Sequence, residues 1–313
     1  MTAEPRRDAD GATEGTVTVR RGTAADINAL GPVIASASAR GDLAGSSDVH
    51  GTFTLDVIGF APGETAVAIS ADGSVAGFVQ PEIKSLVVEP DRRREGIGRS
   101  LVAAGLEIER ERRRDLLLLG IVSGDAAGTA FLRATGFELH SLLWDLILPA
   151  GAAAVEPPAW PAGIVGRTFD RTRDVDAFAA VFNEAFQDHP TPMVVTPEMI
   201  RARLDDPRAI DADVLVLEAD GRLVGFCQTN PRRPEFGLQT DEVAMIGVAA
   251  ARQGEGLGSG LLSWGVRYLR DLGAGDVTLS VNGRNPHALG LYERRGFVRV
   301  STRERWARSV GTA

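Results

Sequence analysis

Val243-Ala-Met-Ile-Gly-Val248 is a short apolar run that leads into Ala249-Ala-Ala-Arg-Gln-Gly-Glu-Gly-Leu-Gly258, and then into Ser259-Gly-Leu-Leu-Ser-Trp-Gly-Val266. The first run is short and apolar on both faces, as a buried strand is. After the glycines, Leu261, Leu262, Trp264, Val266 and Leu269 recur as on a buried helix face. A strand, a glycine turn and a helix start together suit a phosphate. The first helical N–H groups lack intrahelical partners, and the helix dipole adds positive potential there. Glycine lets the backbone approach the anion closely. Other glycine signatures fit less well. A dinucleotide fingerprint would need glycine at 259, where Ser259 stands, and a P-loop needs a lysine that the turn lacks. On this stretch alone, a helix start whose glycines serve packing is the competing reading.

The same pattern occurs earlier in the chain. Glu82 to Leu101 aligns with Glu242 to Leu261, 160 residues on, and its turn reads Arg93-Arg-Glu-Gly-Ile-Gly98. Gly136-Phe137 returns as Gly296-Phe297 at the same offset. Ile69 to Gln80 returns as Leu217 to Gln228, 148 residues on, and both segments read as a hairpin around Asp-Gly. Three matches in one order argue for duplication. The change of offset places a twelve-residue insertion in the second copy, around Pro231–Gly237.

The chain of 313 residues accommodates two domains of this size. We divide it into a disordered tail over 1–15, a first domain over 16–148, a Pro/Ala-rich linker over 149–162 and a second domain over 163–313. Each copy opens with a short strand, Val17–Arg20 or Ile164–Thr168, and a helix. Thr23 with Asp26 resembles a capping box, and the second helix spans roughly Asp174–Ala185. Strand four is Ile83–Val88 in one copy and Val243–Val248 in the other; strand five is Leu116–Val122 and Val277–Val281. The net charge of −8 gives no basis for a nucleic-acid partner. Cys227 is the only cysteine, and the four histidines never take ligand spacing, so neither a disulfide nor a metal is expected. No apolar leader or 18-residue apolar run occurs. These features predict a cytoplasmic protein without membrane partners, as monomer or homodimer.

Strand four, the Arg/Gln-x-x-Gly-x-Gly turn and the later Asn285-x-x-Ala-x-x-Leu-Tyr292-Glu-x-x-Gly296-Phe297 resemble the Gcn5-related N-acetyltransferase family. The resemblance covers both halves. It implies two tandem α/β domains, each a mostly antiparallel twisted sheet flanked by helices, with strands four and five splayed apart. It also implies acetyl-CoA as co-substrate, its pyrophosphate on the glycine turn and its arm in the splay. The implied contacts are Val248, Gln253, Gly254, Gly256, Gly258, Ser259 and Asn285 in the second copy. In the first they are Val88, Arg93, Arg94, Gly96 and Gly98.

Acetyl transfer to an amine needs a neutral nucleophile and a proton for the departing thiolate. An amine of pKa about 8 to 10.4 gains from a base at neutral pH, and a thiol near 8.5 can take its proton from tyrosine, near 10. Tyr292 stands where the family carries its acid; a packed helix-face aromatic is the competing reading. Glu242 opens strand four and is the candidate base, acting through water; an exposed strand-end carboxylate would look the same. Asn285 either orders the cofactor arm or caps the next helix. In the first copy, Leu132 replaces Tyr292 and Asp125 replaces Asn285, while Glu82 matches Glu242. We therefore expect the second copy to be the catalytic one.

The predicted acceptor is a primary amine on a small molecule. Tandem architecture with a degenerate first half resembles a branch of the family that acetylates the cysteinyl amine of a pseudodisaccharide. Phe186 and His189, in Asn183-x-x-Phe-x-x-His-Pro190, are candidate acceptor contacts; a helix end packed on the sheet and stopped by Pro190 is the competing reading. A catalytically silent CoA-binding regulator and a protein-acetylating enzyme are the other classes to separate.

Overall fold

The computed structural model describes residues 17–39, 63–153, 155–187, 194–206, 209–234 and 240–311. The expected tail over 1–15, His189 and Pro190 lie outside them. The first repeat runs β1 (Thr18–Arg21), α1 (Ile27–Ala39), β2 (Ala66–Ile69), β3 (Val75–Gln80), β4 (Ser85–Val88), α2 (Ile97–Glu111), β5 (Leu116–Val122), α3 (Ala126–Ala134) and β6 (Glu138–Leu148). The second runs β7 (Val165–Thr168), α4 (Val175–Ala185), α5 (Pro197–Leu204), β8 (Val214–Ala219), β9 (Arg222–Asn230), β10 (Glu242–Val248), α6 (Leu257–Asp271), β11 (Val277–Asn282), α7 (Pro286–Arg294) and β12 (Val298–Ser309).

Local chemistry places these elements. Asp220 and Gly221 both take positive φ, 48° and 75°, so the β8–β9 hairpin closes through the left-handed turn that matches strand twist. Beneath α4, Phe226 is fully buried and packs against Phe178 and Phe182, with ring centroids 4.7 and 5.6 Å away. On the opposite face, Leu257, Leu261, Leu262, Val266 and Leu269 bury the apolar stripe of α6. Each repeat is thus a sheet with helices on both faces. Asp26 accepts from the Thr23 amide at 2.7 Å and hydroxyl at 2.9 Å, and a fork from Arg20 holds it as well.

The two sheets do not follow the sequence boundary. β1–β4 form one antiparallel sheet, whereas the other eight strands form a second in the order β5-β12-β6-β11-β10-β9-β8-β7. The last strand of each repeat has crossed to the other. β12 pairs with β5 of the first repeat, β6 pairs with β11 of the second, and β6 and β12 pair with each other. Val122↔Arg303 and Asn282↔Leu143 are equivalent rungs, each residue 160 from its counterpart. The exchange is therefore reciprocal, as in a two-fold dimer joined into one chain.

The linker packs on this assembly. Trp160 lies against Gly166 and Gly260, so close that a Cβ on Gly260 would meet its ring at 2.5 Å. Arg267 donates to the Val155 carbonyl at 3.0 Å and Arg270 to the Pro149 carbonyl at 2.9 Å, which pins the segment to α6. Several expected strand ends move by one residue, and β4 by two: it starts at Ser85, after Ile83, because Pro81–Lys84 forms a turn in which Lys84 takes φ 59°.

Candidate functional site

The site sits where β10 and β11 part. These parallel neighbours share a single rung, Glu242↔Thr278, supported by a 2.8 Å bond from the Thr278 amide to the Asp241 carbonyl. Past that rung β10 pairs only with β9 and β11 only with β6. The strands diverge toward the glycine turn and leave a cleft between them. Glu242 lies at its apex, and the turn lies at its mouth.

Glu242 is 7% exposed, and its carboxylate accepts from Asn230 Nδ2 at 3.1 Å. Asn230 ends β9 directly opposite Glu242. The sequence reading passed over Asn230 because it lies beyond the repeated hairpin and has no match in the first copy. It also passed over Asp213, which is buried and binds Arg233 through a fork of 2.6 and 2.9 Å and the Tyr268 hydroxyl at 2.9 Å. That network anchors the inserted β9–β10 segment beside Glu242.

Tyr292 is on α7, half-buried against the second-repeat core and 6.0 Å from the Phe297 ring. Burial pushes its phenol up to about 12, with a smaller contribution from Cys227, so it keeps its proton at neutral pH. Asn285 is the α7 cap: its side chain accepts from the Ala288 amide at 3.0 Å. Asp125 does the same for α3 at 2.8 Å. The cap is thus the role the geometry displays for Asn285, and it explains why Asp serves in the other copy.

At the cleft mouth the chain fits a pyrophosphate. Gly256 caps α6 in a left-handed conformation, φ 82°, with no side-chain cap, and Gly254 has φ 86°. Space is open within 4 Å of the missing Cβ at both. The backbone N–H groups of Gly254 to Gly258 make no turn or cap hydrogen bond among the described residues. Gln253 folds back to the Val248 carbonyl at 3.2 Å, and Ser259 accepts from Arg295 at 2.5 Å, tying α6 to α7.

The first repeat copies this backbone and changes its lining. Gly96 caps α2 at φ 83°, and Arg93 donates to the Val88 carbonyl at 3.3 Å, as Gln253 does to Val248. Yet Arg94 holds φ 75° where Gly254 stands, and a Cβ on Gly98 would meet Phe131 at 3.0 Å, against 4.0 Å from Gly258 to Leu291. Leu132 is buried at the position of Tyr292. Glu82 is exposed and carries ion pairs to Arg112 at 2.6 Å and Arg114 at 3.2 Å. Burial works against its charge, but those arginines bring its carboxyl below the usual range. Leu272 and Ala274 replace the two arginines in the second repeat.

Phe186 ends α4 and packs on Phe182 at 4.9 Å and Phe226 at 6.3 Å, within the aromatic cluster under the sheet. Those contacts account for it as a helix-end packing residue.

Comparison with known proteins agrees with this architecture. The family described as acetyltransferase (GNAT) matches residues 46–137 and 176–297. The chain is 35% identical over 238 residues to a mycothiol acetyltransferase of Thermomonospora curvata, covering 74% of this chain and 77% of that protein. It is 34% identical over 307 residues to one of Parafrankia, covering 88% and 92%. Among solved structures, a GCN5-related N-acetyltransferase of Sphaerobacter thermophilus superposes with TM-score 0.69 at 20% identity, covering 95% of this chain and 96% of that one. A tandem GNAT protein from the clavulanic acid biosynthesis pathway gives 0.68 at 20%, covering 95% and 100%; at that identity both likenesses speak for the fold. The cleft, the turn and these matches together make the chain an acyltransferase that belongs to the GNAT acetyltransferase family.

Proposed function

We propose that the second repeat transfers the acetyl group of acetyl-CoA directly to a primary amine on a small molecule. The observation that carries the reading is the cleft beyond the Glu242–Thr278 rung, with a buried carboxylate at its apex and a glycine turn at its mouth. The amides of Gly254 to Gly258 hold the pyrophosphate, with Val248, Gln253, Ser259 and Asn285 around them. Acetyl-CoA supplies an acyl group activated as a thioester. Glu242, steadied by Asn230, takes through water the proton that the ammonium must lose before it attacks. Tyr292 donates a hydrogen bond to the departing sulfur and passes its proton there, and it is reprotonated as the new amide sheds its extra proton.

The acceptor we favour is the cysteinyl amine of a pseudodisaccharide, the acetylation that a mycothiol synthase performs. Two considerations support it: the relatives carry the name mycothiol acetyltransferase, and Glu242-Val-x-x-Ile-Gly-Val248 resembles that enzyme's fourth strand. An α-amine of pKa about 8 is partly neutral already, so a single carboxylate suffices as base. The first repeat has no phenol at 132, and its Glu82 is tied to two arginines, so we assign it no turnover.

The test is CoA release from acetyl-CoA across amines, aminoglycosides, peptides and the cysteinyl-glucosaminyl-inositol precursor. Turnover highest with that precursor supports the assignment. Peptides as the best acceptors would replace it with protein acetylation. CoA binding with no turnover on any amine would leave a CoA-binding regulator.

A further inference from the structure

Equivalent positions of the two clefts carry different residues, and one pair differs in the sign of its charge: Asp145 beside the second corresponds to Arg305 beside the first. In the second repeat, the face of the splay beside β11 carries Ser280 and Asp145, paired across β11 and β6. Ser280 and Arg303 both bond to Asp145, so that charge is neutralised. The residues 160 apart from these are Gly120 and Arg305, which pair across β5 and β12. Ala244, in the second splay, corresponds to Lys84, the chain's only lysine. The Gly120 amide donates to the Lys84 carbonyl at 2.8 Å, so Lys84 and Arg305 flank the same glycine at the apex of the first splay.

We propose that the first repeat is a carboxylate-binding site, in which Arg305 and Lys84 hold a small carboxylate in the cleft between β4 and β5 where Gly120 leaves out a side chain. Arg305 is half-buried, and its guanidinium makes no hydrogen bond or ion pair with any described residue. Its planar fork matches a carboxylate bidentately. Lys84 is half-buried, and its ammonium donates to the Glu82 carbonyl at 2.9 Å and to no other group among the described residues. The neighbouring carboxylates are engaged elsewhere. Glu82 serves Arg112 and Arg114, Glu109 on α2 faces the same two arginines, and Asp145 serves Arg303. With Glu64 also on Arg112, Lys84 and Arg305 are the two cations left without an ion-pair partner of their own among the described residues.

Both groups are shifted as unneutralised cations should be. Burial pulls Lys84 down to about 8, with Arg305 and Arg114 adding and Glu82 and Glu109 opposing. Burial pulls Arg305 down to about 10, with Arg303 adding and Asp145 opposing. An anion between them reverses both costs.

The carboxylate can arrive free or as the far end of an acyl thioester. The second route rests on the first glycine turn still accepting CoA.

Because Lys84 is the only lysine, reductive methylation with 13C-formaldehyde gives one side-chain resonance, which titrates by NMR. The Lys84→Arg variant distinguishes it from the N-terminal amine. With succinate or succinyl-CoA present, its apparent pKa should rise by about one unit or more, the usual effect of an opposite charge close by. A rise with succinate that succinyl-CoA does not exceed keeps the proposal and refutes only the turn. A rise with succinyl-CoA alone assigns the acyl route. No rise with either, or an equal rise with acetyl-CoA, overturns the proposal. The rise should vanish in Arg305→Gln and in Arg305→Met, with unchanged circular dichroism melting for at least one; a rise persisting in a folded variant also overturns it.

Discussion

Leu143 and Arg303 stand directly opposite each other on β6 and β12, and they are counterparts, 160 residues apart, in the two repeats. The pseudo-two-fold axis passes between them. Beside it, Arg303 and Asp145 form a buried ion pair that Ser280 and Ser301 complete, joining β6, β11 and β12. Removing one partner leaves an uncompensated buried charge, at a cost of about 3–5 kcal/mol. Arg303→Leu should therefore lower the urea midpoint strongly, in one transition shared by both repeats. A variant in which only the second repeat melts early would contradict that shared sheet.

Tyr292→Phe keeps the packing against Phe297 and removes only the hydroxyl. We expect kcat to fall by about 10²- to 10⁴-fold, with thermal stability and acetyl-CoA affinity preserved. Leu132→Met, the volume-matched change at the equivalent site, should leave kcat within about two-fold, because such swaps are well tolerated. Steady-state kinetics of both variants decide between one active cleft and two.

Glu242→Gln retains a group that fits beside Asn230 but accepts no proton. A base must be ionised to work, so wild-type kcat/KM rises with pH along an acidic limb. In the variant that limb should flatten and the plateau fall by about 10²- to 10³-fold. Survival of the limb would assign the base elsewhere.

Much of this was legible beforehand, for a physical reason. Strand, glycine turn and helix are local features whose residues follow one another, and Gly254, Gly256 and Gly258 announce their backbone in the sequence. Glu242 and Tyr292 became candidates for the same reason, each lying inside a recurring or family-like segment. Asn230 and Asp213 were missed because their roles arise from pairing across strands and loops. The strand exchange was invisible as well. β6 and β12 have the same apolar and polar alternation whether they pair within their own repeat or across to the other. Asn285 read two ways until its side chain was seen on the Ala288 amide.

Gly256→Ala places a Cβ on a residue at φ 82°, where a side chain costs roughly 1–2 kcal/mol although space is open. Acetyl-CoA should bind about tenfold more weakly by calorimetry, while KM for the amine stays the same. Gly96→Ala, its first-repeat counterpart, should not affect turnover.

Stability should also respond to pH through Asp174, buried and held by a fork from Arg167 at 2.6 and 2.9 Å. Burial alone would raise its pKa, but Arg167 and the Asp170 amide outweigh it and bring the carboxyl below its usual range. Its stabilisation is then fully present above the unfolded value of about 3.9 and is lost as pH falls through the folded one. Asp174→Asn should cost roughly 1–3 kcal/mol at pH 7. The gap to wild type should narrow below pH 4 in chemical denaturation, and a constant gap would refute the linkage.

β6 borders β11, one wall of the second-repeat cleft, although it is encoded in the first repeat. A gene that shed that half would strip a strand from the working sheet and expose β11 as an edge. The first repeat therefore completes the second repeat's sheet whatever its own cleft does. Each copy of the duplicated fold is thus a structural tenant of the other.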